Sequence, residues 1–351
     1  MSQDATGLAS RPSTRHNSRG REVTDRGESI LEVEDLEVKF FTRRGVVQAV
    51  RDVTFTINRG EVLGLVGESD SGKSVTSQAI MGLTELPGRI TGGDVRWKGA
   101  SLLRGRKAAD EMRRVRGNEI AMVFQDPMTS LNPLFTIGSQ LREVTHRHLG
   151  MNKKQSTERA IDLLDLVGIS NPRRRLDQRP GEFSGGMRQR VLIAMALSCE
   201  PELLIADEPT TALDVTIQAQ ILELLAELKD ELGLSILLIT HDLGVVAAMC
   251  DRVAVLSGGR LAEVGSADDV YGNPAHPYAC GLLRSTPRLD DKQERLISIE
   301  GSPPDLVAPP AGCPYAPRCA SATAQCNDEL PELVTIEEGR SVACWHPFSI
   351  G

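Results

Sequence analysis

The stretch Gly67-Glu68-Ser69-Asp70-Ser71-Gly72-Lys73-Ser74 decides the fold of this 351-residue chain. An apolar run from Glu61 to Val66 precedes it with the pattern of a short strand, and Val75 to Leu83 follows with the pattern of a helix. The stretch fits G-x-x-x-x-G-K-[ST] in the strand, loop and helix context that a phosphate-binding loop requires. A chance glycine turn between two such elements is the weaker interpretation.

The chemistry of this loop follows from its backbone and two side chains. Backbone N–H groups of the loop and of the helix N-terminus can surround a β-phosphate. Lys73 can reach the β- and γ-phosphates, and Ser74 can ligate Mg²⁺. We therefore predict that ATP and Mg²⁺ bind here, in contact with Gly67, Ser69, Ser71, Gly72, Lys73, Ser74 and Val75.

Asp70 places a carboxylate in a loop that is built to hold anions. Aspartate tolerates unusual backbone angles better than most residues, so the loop can still fold. A side chain pointing toward the phosphates would weaken nucleotide binding by repulsion, whereas one pointing outward would have a small effect. We expect a modest penalty on ATP binding.

A second apolar run, Leu203 to Ala206, ends in the carboxylates Asp207 and Glu208. Asp207 is placed to hold Mg²⁺, directly or through water, and Glu208 is placed to polarise the attacking water as a general base. A solvated strand end is the alternative. The phosphate-binding loop upstream makes that alternative the weaker one.

Gln125 and His241 each follow a predicted strand, Ile120 to Phe124 and Ser235 to Thr240 respectively. The Gln125 amide can contact Mg²⁺ and the lytic water, and His241 is suited to hydrogen-bond a γ-phosphate. A glutamine after a strand means little alone, and a lone histidine is more often structural. Both gain weight only as members of the set with Glu208.

Between the loop and the acidic pair lies the segment Phe183 to Met187, FSGGM. Its serine, Ser184, has the position of a helix N-cap, and the helix that follows offers an anion site at its N-terminus. Many NTPases carry a phosphate-binding loop and an acidic pair. Very few place a Ser-Gly-Gly helix start between them.

Together these residues resemble the nucleotide-binding subunit of an ABC transporter, over about residues 30–270. The resemblance implies a P-loop NTPase α/β fold with a mostly parallel sheet, an antiparallel β arm and an inserted helical subdomain at about residues 127–185. Alternating apolar strands and helices along the chain favour the same mostly parallel sheet.

The resemblance also implies roles for residues outside the loop. Ser184, Gly185 and Gly186 would contact the γ-phosphate of ATP held by a partner subunit, and Asp214, which alone would pass for a helix N-cap, would lie in a loop crossing that interface. Phe40 would stack on adenine, with a core strand position as the alternative. Gln125 would open the loop that senses the membrane subunits, and His241 would be the switch histidine.

Three segments indicate a particular subfamily of these ATP-binding subunits, namely QDPMTSLNPLFTIGSQL (125–141), FSGGMRQRVLIAMAL (183–197) and NPAHPYACGLL (273–283). They are similar to ATP-binding subunits of bacterial dipeptide and oligopeptide permeases, which usually have Gly in place of Asp70. This implies ATP hydrolysis that powers peptide import. The implied partners are a second, non-identical ATPase subunit, two transmembrane permease subunits and, indirectly, an extracytoplasmic solute-binding protein.

Other functions stay open at this point. Importers of nickel and opines share this type of ATPase, and a soluble ABC ATPase of translation or DNA repair is a further alternative. The net charge of −8 argues against non-specific nucleic-acid binding, which needs a cationic surface. A subunit that binds ATP without hydrolysing it is disfavoured by Glu208 and His241.

The N-terminal part of the chain indicates where the protein resides. Residues 1–29 contain few large apolar side chains, so we expect a disordered tail without the apolar core of a signal peptide. No apolar run approaches the roughly 18–20 residues that span a bilayer. We therefore expect a chain kept in the cytoplasm and docked peripherally on the cytoplasmic face of the cell membrane.

Residues 271–351 are rich in Pro and Cys and are predicted to form a separate small module. In a cytosolic chain, a cysteine cluster favours metal over disulfides. No C-x-x-C pair is present, which lowers the case for zinc, whereas four thiolates suit a [4Fe–4S] cluster, as the permease resemblance also implies. Unligated thiols and zinc are the alternatives for the four residues Cys313, Cys319, Cys326 and Cys344.

Overall fold

A computed structural model of the protein describes residues 27–211, 213–285 and 299–348. The predicted tail of residues 1–29 therefore lies outside the described residues except for its last three. The first strand begins at Ser29, one residue before the point at which the apolar pattern begins.

The strands lie at both ends of the described chain and alternate with helices in its middle. They are β1 (Ser29–Thr42), β2 (Gly45–Asn58), β3 (Val62–Val66), β4 (Gly88–Trp97), β5 (Ala100–Ser101), β6 (Ile120–Val123), β7 (Leu203–Asp207), β8 (Ser235–Thr240), β9 (Arg252–Ser257), β10 (Arg260–Ser266), β11 (Val334–Glu337) and β12 (Arg340–Val342).

The longest continuous run of helices occupies the interval between β6 and β7. The α-helices are α1 (Lys73–Ile80), α2 (Ala108–Val115), α3 (Pro127–Ser130), α4 (Ile137–Leu149), α5 (Lys153–Leu166), α6 (Pro172–Arg175), α7 (Gly185–Ala196), α8 (Val215–Leu232), α9 (Leu243–Met249), α10 (Ala267–Gly272), α11 (Pro277–Arg284) and α12 (Ala324–Asp328). Short 3₁₀ helices cover Pro180–Glu182, Leu197–Cys199 and Ala316–Arg318.

The central sheet has the strand order β11-β12-β10-β9-β3-β8-β7-β6. Its five strands from β9 to β6 are parallel to one another, and every residue of β3, β7 and β8 is buried. Short runs that are apolar throughout are typical of parallel strands covered on both faces, and this explains why the sequence pattern predicts them. The parallel pairing places the carboxyl ends of β3, β6, β7 and β8 at one edge.

A second sheet, with the order β2-β1-β4-β5, is antiparallel. In β1 and β2 apolar residues alternate with polar ones, and Leu36 pairs with Val53 in the buried layer. Trp97 of β4 is fully buried opposite Leu31. One face of this sheet packs onto α1 and the central sheet, because Ile80, Leu63 and Leu65 belong to the same core.

Helices α3 to α7 occupy the interval for which the sequence predicts an inserted helical subdomain. Their ends have ordinary caps: the Thr136 hydroxyl accepts a hydrogen bond from the Ser139 N–H at 3.2 Å, and Asn152 forms a capping box with Gln155. Leu141 and Leu164 are fully buried between these helices and join the core that lies under β7. Among the described residues, no helix is both long and apolar enough to cross a membrane.

The C-terminal stretch shares the central sheet with the rest of the chain. Strand β12 pairs with β10, with Val342 opposite Glu263, and β11 pairs with β12. This differs from the separate module that the composition suggests. A segment that is too small to enclose a core of its own gains burial by extending the edge of an existing sheet.

A buried ion pair fixes this edge. Arg340 donates from Nε and Nη2 to Oε1 of Glu263, at 3.2 and 2.7 Å, and both side chains are at most 1% exposed. Glu263 also accepts hydrogen bonds from the backbone N–H groups of Ala275 and His276. The two oxygens of Glu263 are therefore fully used in joining β10, β12 and the start of α11.

We expect Arg340→Met to lower the free energy of unfolding by about 3–5 kcal/mol, because it leaves the Glu263 carboxylate buried without its counter-ion. Urea denaturation of the full chain measures this loss. The matched control is Arg113→Met, which breaks an exposed pair with Asp110 on α2 and should change stability little. Equal small losses in the two variants would show that the buried pair is not an anchor.

Candidate nucleotide-binding site

A cleft of about 700 Å³ opens at the edge where the parallel strands end. Its walls come from the loop after β3, from the residues after β6, β7 and β8, and from β1 and β2 of the antiparallel sheet. The cleft is large enough for a nucleotide. Predicted site residues that line it are Phe40, Ser69, Ser71, Gly72, Lys73, Ser74, Val75, Gln125, Glu208 and His241.

Two glycines let the loop turn from β3 into α1. Gly67 has φ 154°, and a Cβ there would lie 2.2 Å from the carbonyl oxygen of Leu256. Gly72 has φ 105°, and a Cβ there would lie 2.5 Å from the carbonyl oxygen of Ala49. No other residue fits these positions without movement of backbone, so both glycines are required by the shape of the loop itself.

Lys73 begins α1 and is buried beneath the loop. Its Nζ donates to the carbonyl oxygens of Gly67 at 2.9 Å and Glu68 at 2.8 Å. Burial lowers the pKa of Lys73, and the nearby carboxylates, Glu208 first among them, act in the opposite direction. A bound polyphosphate would add to these carboxylates in stabilising the ammonium form.

The oxygens expected to hold Mg²⁺ lie side by side. Ser74 Oγ donates to Asp207 Oδ1 at 2.9 Å, and Ser77 Oγ donates to Oδ2 at 3.3 Å. Asp207 is buried, which raises its pKa, while the two serine hydroxyls lower it. A hydroxyl and a carboxylate beside a phosphate site are the ligand type that Mg²⁺ uses in NTPases.

The Glu208 carboxylate is where three strand ends meet. Its Oε2 accepts hydrogen bonds from Gln125 Nε2 and from Thr211 Oγ1, both at 2.9 Å, and its Oε1 lies 3.4 Å from His241 Nδ1. The backbone of Glu208 is left-handed, with φ 45°. The three residues predicted to be catalytic, Gln125, Glu208 and His241, therefore lie in one hydrogen-bonded group. The left-handed backbone of Glu208 is a strained conformation, and such strain is common at functional sites.

Asp70 lies at the exposed tip of the loop, where it borders the cleft. Its φ of 62° is left-handed, the region that aspartate tolerates better than most residues, as expected from the sequence. Asp70 shares this cleft with Lys73, so its charge faces the region where a phosphate group would bind.

The two neighbouring phenylalanines of β1 have different surroundings. Phe40 is half-buried and borders the cleft, whereas Phe41 is 46% exposed and lies under the guanidinium of Arg89. Of the two, Phe40 is therefore the one placed to meet a bound base.

Part of the cleft wall comes from residues that no sequence motif indicates. Thr211 carries no signal apart from following the acidic pair. The other residues come from β2, from the turn between β9 and β10, and from a Pro-rich stretch near the C-terminus. The hydrogen bond from Gln48 N–H to the Leu306 carbonyl holds the Pro-rich stretch in place. No local motif predicts such distant contributions, which are Val47, Ala49, Gly258, Pro303, Pro304, Asp305 and Leu306.

Ser184, Gly185, Gly186 and Asp214 do not line this cleft. Ser184 caps α7 by accepting from the Met187 N–H at 3.3 Å, and Asp214 caps α8 by accepting from the Ile217 N–H at 3.0 Å. Ser184 and Gly185 are exposed.

Gly186 is needed for packing between these two helices. A Cβ at Gly186 would lie 2.5 Å from Cγ2 of Ile217, so only glycine lets the first turn of α7 approach the first turn of α8 this closely.

The four C-terminal cysteines, Cys313, Cys319, Cys326 and Cys344, line one small cavity together with His276 and His346. Their thiols are free, and burial raises the pKa of three of them, that of Cys344 to about 11. Within the described ranges, no three His, Cys, Asp or Glu side chains form a metal-binding group. Four thiols are the donor set that an iron–sulfur cluster takes, but in the described residues these thiols do not come together as a group of ligands.

The phosphate-binding loop, the acidic strand end and, between them in the sequence, the Ser184-capped helix start together define an ABC-type P-loop ATPase. Comparison with known families gives the same class, because the ABC transporter family matches residues 50–211. The family described as the oligopeptide/dipeptide transporter C-terminal region matches residues 262–326.

Individual relatives agree with these matches. The dipeptide transport ATP-binding protein DppD of Bacillus subtilis is 52% identical over 321 residues, covering 91% of this chain and 95% of the relative. The oligopeptide transport ATP-binding protein OppD of Salmonella typhimurium is also 52% identical, with 91% and 94% covered. This chain belongs to the family of ATP-binding subunits of dipeptide and oligopeptide ABC transporters.

Solved structures extend the likeness to the fold. A dimeric post-hydrolysis state of the ATP-binding cassette MJ0796, bound to ADP and Pi, superposes with a TM-score of 0.60 and 27% identity. The match covers 68% of this chain and 99% of that one.

We expect Asp70→Asn and Asp70→Gly each to tighten ATP binding about two- to fivefold, because both remove a carboxylate from the edge of an anion site. Titration of the full chain with MgATP measures the affinity. Asparagine removes the charge but also tolerates a φ of 62°, so its effect reports the charge alone. Glycine removes the charge and also any backbone strain at this position. An unchanged affinity and turnover in Asp70→Gly would show that the carboxylate has no effect on the phosphates.

Proposed function

We propose that this chain binds and hydrolyses ATP to power the import of dipeptides or oligopeptides across the cytoplasmic membrane through an ABC transporter. The observation that carries the proposal is the Glu208 carboxylate, which is held by Gln125 and Thr211 beside His241 at the edge of the phosphate-binding cleft. The matches to dipeptide and oligopeptide transport ATP-binding proteins support the choice of solute class.

The residues of the cleft have complementary roles in this proposal. Lys73 and the loop N–H groups bind the β- and γ-phosphates, and Ser74 and Asp207 hold Mg²⁺. Glu208 takes the proton from the attacking water, with its carboxylate oriented by the hydrogen bonds from Gln125 and Thr211. His241 stands where it can donate to the transferred phosphoryl group.

Phe40 and the backbone of the phosphate-binding loop complete the nucleotide contacts. We assign Phe40 to the adenine, because it borders the cleft from β1 of the antiparallel sheet. The backbone of Gly67, Ser69, Ser71, Gly72 and Val75 surrounds the phosphates.

A second ATPase subunit completes each ATP site. The helix start at Ser184, Gly185 and Gly186, of which the first two residues are exposed, lies outside this chain's own cleft, so we assign it to the γ-phosphate of the ATP held by the partner. Asp214, at the start of the neighbouring helix α8, is assigned to the same interface. The dimeric state of MJ0796 supports this arrangement.

These assignments divide the chain into domains with different partners. Residues 30–270 form the ATPase domain, with the helical subdomain at about 127–185 contacting two transmembrane permease subunits near Gln125. Residues 271–351 form the C-terminal extension. The protein would then lie peripherally on the cytoplasmic face of the membrane, and an extracytoplasmic solute-binding protein would act on it only through the permease subunits.

We expect Glu208→Gln to lower ATP turnover in the assembled transporter by at least about 100-fold while ATP binding is retained, because the amide cannot accept a proton from water. Turnover and retained nucleotide are measured on the same preparation. The matched control is Glu202→Gln, at the opposite end of β7, where the carboxylate pairs with Arg59 and Lys98 away from the cleft. Turnover in Glu208→Gln equal to that of the control would contradict the role of general base.

We also propose that Cys313, Cys319, Cys326 and Cys344 ligate a [4Fe–4S] cluster. The support is their shared cavity at the C-terminal end of the chain, where four thiols are the donor set such a cluster takes. The thiols would have to approach one another from their positions here. The cluster would stabilise a Pro-rich segment that contributes only short strands to the sheet.

Protein purified anaerobically should contain about four irons per chain, with matching acid-labile sulfide and visible sulfur-to-iron absorbance. Cys319→Ser should lose most of that iron. Cys250→Ser is the control, since Cys250 is buried beneath β3 and lies outside the cavity. Zinc in place of iron, or no metal at all, would overturn the cluster assignment.

A further inference from the structure

One residue of the phosphate-binding loop is held by the C-terminal region. Glu68 accepts two hydrogen bonds from Arg318, with Nη1 to Oε1 at 2.9 Å and Nη2 to Oε2 at 2.6 Å. Its backbone N–H donates to the Tyr278 hydroxyl at 2.9 Å. Its own carbonyl accepts the hydrogen bond from Lys73 Nζ. Glu68 is thus fixed through its side chain and through both of its backbone polar groups.

Arg318 is itself held in place. Its side chain is 5% exposed, and its guanidinium lies 5.3 Å from the centre of the Tyr315 ring, which packs against Tyr278 with ring centres 5.3 Å apart. Both of its hydrogen bonds to Glu68 come from a guanidinium, a group that is always charged in proteins. A partly buried, bidentate pair of this kind fixes both direction and distance.

The carboxylate of Glu68 needs such a partner. Glu68 lines the same cleft as Lys73 and Ser74. A carboxylate free to turn into that cleft would repel a triphosphate and compete with it for the Lys73 ammonium. Its bidentate pairing with Arg318 fixes the direction of the carboxylate and neutralises its charge.

We propose that Arg318 is a positioning residue for ATP binding, which acts from the C-terminal region by holding the Glu68 carboxylate out of the triphosphate site. This inference rests on the proposed function, because it takes the cleft to be the ATP site. It makes the C-terminal region part of the nucleotide site, at a position adjacent in sequence to Cys319.

The test is the ATP affinity of the full chain, measured with MgATP and with a fluorescent ATP analogue. Arg318→Met should weaken ATP binding about tenfold, because the freed carboxylate faces the phosphates. The double variant Arg318→Met/Glu68→Gln should recover most of that loss, since it removes the charge that Arg318 restrains. A loss of affinity caused by general disruption of the C-terminal region would not be rescued by a change in the loop.

The matched control lies at the other end of the same strand. Glu61, just before β3, pairs with Arg252 at 2.9 Å, so Arg252→Met removes an Arg–Glu pair from β3 without touching the cleft. It should leave ATP affinity unchanged. Arg318→Lys, which keeps the charge but not the fork, should fall between wild type and Arg318→Met.

Two outcomes would overturn the inference. One is an unchanged ATP affinity in Arg318→Met, and the other is a loss that Glu68→Gln does not rescue. Lys73→Ala separates this from the proposed function. If Lys73→Ala abolishes binding while Arg318→Met does not weaken it, only the role of Arg318 fails; if Lys73→Ala has no effect, the cleft is not the ATP site and both proposals fail.

Discussion

The parallel pairing of β3 with β8, and of β8 with β7, is the constraint on which the site depends. In this register Val66 lies opposite Thr240, and Asp207 lies opposite Ile239. The phosphate-binding loop, His241 and the acidic pair must then leave the sheet at the same edge. A slip of one residue would reverse the faces of the strands and separate Lys73 from Asp207 and Glu208, so the apolar content of these strands sets the chemistry as well as the core.

Residues whose roles follow from a local pattern could be predicted from the sequence. The loop from Gly67 to Ser74 can be recognised from its motif between a strand and a helix. Asp207 and Glu208 can be recognised from their place at the end of a buried strand. The meeting of Gln125 and His241 at Glu208 could be anticipated because carboxyl ends of parallel strands adjoin. These contacts depend on the order of elements along the chain, which the apolar periodicity already shows.

Other parts of the site depend on distant contacts that no pattern encodes. Pro303 to Leu306 reach the cleft because β2 offers the Gln48 N–H to the Leu306 carbonyl, a pairing between residues far apart in sequence. The same holds for the C-terminal stretch as a whole. Its Pro and Cys content suggests a separate module, yet Glu263 and Arg340 join it to the central sheet, because burial of that pair requires both strands.

The two acidic residues of the loop show how position decides the effect of a charge. Glu68 and Asp70 are two residues apart and both border the cleft, yet only Glu68 is paired with a buried guanidinium. Asp70 stands at an exposed tip, where water screens it, and its remaining effect on a phosphate is small. Glu68 lies closer to the base of the loop, where screening is weaker and an unpaired carboxylate would be costly. A loop that binds anions can therefore carry an acidic residue at its tip without a partner, whereas one beneath the tip requires a cation, which in this fold comes from the C-terminal region.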